Sequence, residues 1–352
     1  MSVPAITPVG HSGPKIPKLA PHLSEIEDLD EEDVTFAVAH DGSRGAKACL
    51  DLAFKHFFVK KAKAYLEVVH IFDSVAQGDL MRAFRKDSIE AEVRALDISH
   101  GSRFTLQMIP KVPGEKEGKT LCEWMCKQEA AGACVDFMLM GFKGAKNAAE
   151  EVLLASDVSY CLAFSRCSMI VLRDWTPPED PAANLHYLVP VDLTKWSEKA
   201  LHDALLLSSP GDKITVLRIC FDDEKSDAGQ MAKYFTKLIA RIGKKFGEPR
   251  VVNLVEIRSG GQGVSEAILN YADKAGDVDF ICMGTNVKRL QQQKSYLGSV
   301  SGAVLLAGRY PMVIARYDED FESVVSNYSR PAIDFKLPTS FDGKIFKENC
   351  AS

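Results

Sequence analysis

No run in this 352-residue sequence approaches the ~18 consecutive apolar residues that a membrane-crossing helix needs. The opening stretch MSVPAITPVGHSGPKIPKLAPHL is interrupted by prolines and lacks an unbroken apolar core, so it does not read as a secretory signal. Also missing are a Gly-x-Ser-x-Gly elbow, a complete Walker A sequence and a metalloprotease helix motif, which removes the commonest routes to a hydrolase, a P-loop NTPase or a zinc peptidase. An excess of basic residues is absent as well, though a local basic loop remains open. With 43 Lys and Arg against 48 Asp and Glu the net charge is -5, which argues against a general nucleic-acid binder. The nine cysteines are odd in number, and Cys134, Cys161, Cys220 and Cys282 sit in apolar segments, as reduced core cysteines do. Cys122 and Cys126 lie four apart on an expected helix, yet no second pair completes a tetrahedral metal set. These absences lead us to expect a cytoplasmic protein without a membrane or nucleic-acid partner.

What is present is enough apolar material for two domains: 46% of residues are hydrophobic and 26% charged, an ordinary globular balance. Residues 1–32 are Pro-rich and then acidic, and are expected to form a disordered or loosely docked arm. From there, apolar runs of strand length alternate with stretches of helical period. Strands are expected at Val34–Ala39, Tyr65–Phe72, Phe104–Ile109, Val135–Met140 and Met169–Leu172. Helices are expected at 46–57, Leu80–Leu96, Leu121–Ala131 and Ala148–Phe164. Alternation of this kind implies right-handed crossovers and a parallel sheet covered on both faces.

The segment DWTPPEDPAAN, 174–184, carries three prolines and reads as a linker. After it the programme repeats. Strands are expected at Tyr187–Val191, Ile214–Phe221, Val251–Ile257, Asp279–Met283 and Met312–Ala315. Helices are expected at Trp196–Leu207, 231–242, Val264–Ala275 and Val300–Gly308. Asp41 corresponds to Asp192 and Gly141 to Gly284, at separations of 100 and 92 residues. Residues 318–352 show neither period and are expected to be a tail that pins onto the surface through single aromatics.

The stretch from Val278 to Arg316 concentrates the chemistry. A buried strand ends at Met283-Gly284, a polar loop with Lys288, Arg289 and Lys294 follows, and Gly298-Ser299 opens a helix. A helix N-terminus behind a Gly-Ser pair favours an anion, because unpaired amides and the aligned peptide dipoles act together. The alternative is an ordinary strand-to-helix connection.

The two copies resemble the universal stress protein superfamily in its tandem two-domain form, over residues 33–173 and 185–317. The resemblance rests on a first strand ending in Asp and on a Gly, two residues, Gly, nine residues, Gly-Ser pattern after the fourth strand. It implies an α/β fold of two five-stranded parallel-sheet, Rossmann-like domains of the adenine nucleotide alpha hydrolase kind, packed as a pseudo-dimer through their fifth strands. It further implies an adenine nucleotide such as ATP, with Mg2+, in the second copy. Pro190, Val191 and Asp192 match the strand end near ribose, and Ile219 matches the position whose backbone meets adenine. Met283, Gly284 and Asn286 match the strand end and the start of the loop, and Gly298, Ser299, Val300 and Ser301 match the phosphate run. Two departures stand out: Val287 occupies the place of the second glycine, and thirteen residues separate Gly284 from Gly298 instead of twelve.

The first copy departs elsewhere. Gly141 and Gly144 are kept, but the closing Gly-Ser is Ala155-Ser156, followed by Asp157. A carboxylate about 4 Å from a phosphate is repelled by about 1 to 4 kcal/mol for effective dielectrics between water and a protein surface. That copy is expected to be a degenerate site, and Asp41 to serve as a helix cap or Asx turn. His40, His70 and His186 are expected to be hydrogen-bonded structural histidines. The leading functional expectation is an ATP-binding stress sensor or regulator with at most slow hydrolysis and an unknown protein partner. A nucleotide-free interaction protein of the same fold and an ATP-using enzyme of the wider fold are the alternatives.

Overall fold

The computed structural model describes residues 34–58, 61, 64–96, 104–143, 154–173, 175, 178–192, 194–221, 233–234, 236–237, 251–285 and 297–316. The expected N-terminal arm and C-terminal tail, most of the helix expected at 231–242, and the loop bearing Asn286, Val287, Lys288, Arg289 and Lys294 lie outside these residues.

In the first half, β1 (Thr35–Ala39), α1 (Arg44–Leu52, continued by a wider π turn at Ala53–Phe58) and β2 (Tyr65–Phe72) are followed by α2 (Ser74–Leu96) and β3 (Phe104–Pro110). Next come α3 (Glu117–Ala130), β4 (Phe137–Gly141), α4 (Ser156–Phe164) and β5 (Ser168–Leu172). The second half contains β6 (His186–Val191), α5 (Lys195–Leu207), β7 (Lys213–Cys220) and β8 (Val251–Arg258). It closes with α6 (Val264–Ala275), β9 (Phe280–Gly284), α7 (Ser299–Ala307) and β10 (Met312–Ala315). Most expected elements agree within a few residues. Of the helix expected at Ala148–Phe164, residues 148–153 lie outside the described residues, and α4 begins at Ser156 with Ala155 as its extended N-cap.

Among the described residues the strands form one ten-stranded sheet in the order β3-β2-β1-β4-β5-β10-β9-β6-β7-β8. Each half is parallel and has the same internal order, so the second half repeats the first in reverse across the sheet. The halves meet where β5 pairs antiparallel with β10, with Ile170 opposite Val313 and Met169 opposite Ile314. Every residue of these two strands is buried. Each strand supplies the backbone partners that an open edge would otherwise leave exposed.

Both faces of the sheet are apolar, as parallel strands under helices require. On one face Phe36 stacks between Phe57 and Phe137 at centroid distances of 4.9 and 5.6 Å, and Tyr187 stacks on Phe280 at 5.4 Å, within a single core that draws on both halves. Linker residue Trp175 meets Phe280 at 5.1 Å, and the Pro178 carbonyl lies 3.1 Å from His56 Nε2, so the linker is fastened to both halves. The opposite face carries a second shared core through Met169, Met312 and Ile314.

In each half the strand order reverses beside the first strand, between β1 and β4 and between β6 and β9. The crevice at the carboxyl ends of such strands is where open α/β sheets hold ligands.

Candidate functional site

The two reversal points are built from matching parts. In the first half Asp41 Oδ1 accepts the Ser43 amide at 2.8 Å, and Ser43 Oγ caps α1 by accepting the Ala46 amide at 3.1 Å. In the second half Asp192 Oδ1 accepts the Thr194 amide at 2.9 Å, and Thr194 Oγ1 caps α5 through the Ser197 amide at 3.4 Å. Each aspartate therefore makes an Asx turn, while the residue two positions on caps the helix. For Asp41 this selects the turn over the cap.

Gly284 has a packing role that the sequence did not suggest. A Cβ there would sit 2.0 Å from the carbonyl oxygen of Trp196, in the first turn of α5. Gly141 stands in the same relation to Gly45, whose Cα would lie 2.8 Å from an added Cβ. Neither Gly284 nor Gly298 adopts positive φ; Gly298 has φ -59° and ψ 155°. A Cβ on Gly298 would meet nothing within 4 Å. Gly284 is thus demanded by helix packing, whereas Gly298 faces open space.

A cavity of about 440 Å³ opens at the ends of β6, β7 and β9. It is lined by Pro190, Val191 and Asp192 from the end of β6, Ile219 from β7, and Met283 and Gly284 from β9. Gly298, Ser299, Val300 and Ser301 contribute the start of α7. Ten of the eleven residues singled out in the sequence surround this one space; Asn286 lies outside the described residues. Sequence reasoning missed Thr194, Trp196 and Ser197 in the α5 turn, Leu217 and Phe221 on β7 and just beyond it, Val264 and Ile268 on α6, and Thr285. The i, i+4 spacing of Val264 and Ile268 and the correspondence of Ser43 with Thr194 were the available signals.

One wall is apolar, formed by Leu217, Ile219, Val264 and Ile268. β6 ends at Val191, opposite Arg218, so Ile219 lies one residue beyond its last partner on that side. The other wall is the N-terminus of α7, where Gly298 provides no side-chain cap and the first turn has no acidic residue. Ser299 is exposed at that end and Ser301 is buried behind it.

The first half closes the corresponding crevice to about 70 Å³. Asp157, in the first turn of α4, accepts the Gly118 amide at 2.9 Å. A Cβ on Gly118 would lie 2.8 Å from the Asp157 carbonyl oxygen, so the starts of α3 and α4 are in close contact. Lys116, the N-cap of α3, makes no side-chain cap, and the Asp157 carboxylate supplies one from the neighbouring helix. The anion at this helix N-terminus is a residue of the chain itself.

His186 and His70 are hydrogen-bonded, as expected of structural groups, whereas buried His40 departs from that expectation: among the described residues neither ring nitrogen makes a hydrogen bond, and Nε2 lies 3.6 Å from a Glu92 carboxylate oxygen. His186 Nδ1 lies 2.9 Å from Asp277 and Nε2 2.8 Å from Thr215, and His70 Nδ1 lies 2.6 Å from the His40 carbonyl. Burial holds the pKa of His40, His70 and His186 below the ordinary histidine value. Among the described residues no group of three or more His, Cys, Asp or Glu is placed to hold a metal, and no helix is long and apolar enough to cross a membrane. Cys122 approaches Cys161 at 3.9 Å, while Cys126 is exposed.

Compared with solved structures, the chain matches a universal stress protein from Archaeoglobus fulgidus DSM 4304 over 83% of its own length and all of the other's, with 16% identity and a TM-score of 0.58. The fold is that of the universal stress proteins. It is the tandem form, two copies joined into one sheet. Shorter matches include universal stress protein UspA from Lactobacillus plantarum, at 18% identity and TM-score 0.32, covering 40% of this chain and 99% of that one. Another is a universal stress protein in complex with cAMP, at 15% identity and TM-score 0.29, covering 40% and 95%. At those TM-scores neither adds to the fold assignment. No protein-family model matches the sequence, and no curated protein matches it.

Proposed function

We propose that this chain is an adenine-nucleotide-binding regulator of the stress-response type, that it acts in the cytoplasm, and that it holds ATP in the second copy. The observation that carries the reading is the contrast between the two crevices. One measures about 440 Å³ and is walled by an uncapped, acid-free helix N-terminus; the other measures about 70 Å³ and is lined in part by Asp157, whose carboxylate accepts the Gly118 amide. Ligand pockets usually span about 300–1,000 Å³, and a water takes about 30 Å³, so only the larger crevice has room for a nucleotide.

In this reading adenine lies on the apolar wall, with the main chain at Ile219 within its reach. Val191 and Pro190 border the sugar, and Asp192 holds the ribose through its carboxylate. The amides at Gly298, Ser299 and Val300 and the hydroxyls of Ser299 and Ser301 receive the phosphates. Gly284 keeps α5 close enough to form the floor beside Met283, and Asn286, outside the described residues, is the remaining contact that the motif implies. Mg2+ enters with the nucleotide, held mainly by phosphate oxygens. Residues 33–173 and 185–317 act as the two domains of an intramolecular pseudo-dimer.

Purified protein that is denatured and assayed by mass spectrometry should release adenine nucleotide, or the ligand-free protein should bind Mg-ATP in calorimetry. The absence of both release and heat would sink the reading in favour of a nucleotide-free interaction protein. Ser299→Asp should lower ATP affinity at least about tenfold while leaving the fold intact, because an acid in the first turn of a helix is favourable in itself. Unchanged affinity would place the phosphates elsewhere.

A further inference from the structure

The same offset of 143 residues relates Gly141 to Gly284, Ser156 to Ser299 and Arg173 to Arg316. The two arginines follow β5 and β10, at the seam between the copies, yet they do different things. Arg173 Nη1 donates to the carbonyl oxygens of Leu305 at 3.0 Å and Leu306 at 2.6 Å, both in the last turn of α7. Its guanidinium lies over the ring of Phe142, 4.4 Å from the centroid, and Phe142 follows the Gly141 that lines the first crevice. Arg316 is fully buried and donates to Thr285 Oγ1 at 3.0 Å, while its Nε and Nη2 have no partner. The strap on α7 is made, and the reciprocal strap on α4 is not.

The last carbonyls of a helix have no partners within it. In α7 the Gly308 amide takes the Val304 carbonyl at 2.8 Å, and Arg173 takes the next two. A helix of nine residues is shorter than the ~12–15 at which an isolated helix becomes marginally stable, so its placement depends on such outside contacts. A cation at its C-terminus also complements the helix dipole. The strapped helix is the one whose N-terminus lines the large cavity, and the unstrapped one is the helix that carries Asp157.

We propose that Arg173, a residue of the first copy, is a positioning residue for the anion site of the second copy. It holds the C-terminus of α7 and so sets where the amides of Gly298, Ser299 and Val300 stand. This rests on the nucleotide reading above. The first copy, with its own crevice closed, thereby has a part in binding: it anchors the helix that receives the phosphates.

The test compares the full-length wild type, Arg173→Met and Arg173→Lys by calorimetry with Mg-ATP and with adenosine, which lacks phosphates. Two charge-assisted hydrogen bonds are removed in Arg173→Met, so ATP affinity should fall about tenfold or more. Adenosine affinity should stay within about twofold, because its contacts lie on β6, β7 and α6. Arg173→Lys should recover much of the loss, since an ammonium can still donate to carbonyls. Equal weakening of both ligands would reduce Arg173 to a general structural role and overturn the proposal, as would unchanged ATP affinity in Arg173→Met. A wild type that binds neither ligand would instead remove the nucleotide reading, and this inference with it.

Discussion

Gly284 and Gly298 occupy the two ends of one motif for different physical reasons. Gly284 lies so close to the Trp196 carbonyl that a methyl group cannot be accommodated without moving α5. Gly284→Ala should therefore destabilise the fold by about 1–3 kcal/mol, the range of an overpacked core, seen as a lowered denaturant midpoint. Gly298→Ala places its methyl in open space at negative φ and should cost about 1 kcal/mol of stability at most, while weakening ATP binding more than it weakens the fold. If the two variants proved equally stable, the close approach at Trp196 would be wrong. The sequence shows two glycines and cannot rank them, because the contact that separates them comes from a helix nearly 90 residues away in the chain.

At the scale of elements, α4 and α7 are equivalent helices with opposite fates. α7 has Gly298 at its N-cap and no acid in its first turn, whereas α4 has Ala155 at its N-cap and carries Asp157, which caps α3. The expected repulsion between Asp157 and a phosphate is only half of the explanation; the crevice is also too small. Asp157→Asn removes the charge and keeps the acceptor for the Gly118 amide. It should lower stability by about 0.5–1 kcal/mol through loss of the anion at two helix starts, and calorimetry should still find a single nucleotide per chain. A second nucleotide bound in this variant would show that charge alone had closed the first copy.

At the scale of the whole molecule, the antiparallel join of β5 and β10 turns two sheets into one and merges the cores on both faces. Polar links cross the same seam: Ser168 Oγ donates to the buried Asp203 at 2.6 Å and accepts the Arg316 amide at 3.1 Å. Three buried histidines tie the stability of this unit to pH. Burial lowers the folded-state pKa of His40, His70 and His186 from 6.5, so the unfolded chain binds more protons once the pH drops below that value. Their contribution is present above pH ~6.5 and is lost as the pH falls through the lower folded-state values. The denaturant midpoint should be level from pH ~8 to ~7 and decline as the pH falls below ~6.5; a midpoint that rose on acidification would contradict the assignment of these histidines as buried and neutral.

Strand and helix order, the repeat and ten of the residues around the large cavity were legible in the linear sequence. Each of these is written in local period, in punctuation by Gly and Pro, or in correspondence between the copies. Val264 to Ala275 and Met312 to Ala315 were placed without error because their periods are clean and their ends are marked. What only the tertiary structure decided was which crevice is open, why Gly284 must be glycine, and that Arg173 of one copy grips α7 of the other. These depend on contacts between segments about 40 to 130 residues apart, such as Asp157 with Gly118 and Arg173 with Leu306. A sequence records the period of an element wherever it lies. It records the partner of a side chain only once the sheet has brought the two together.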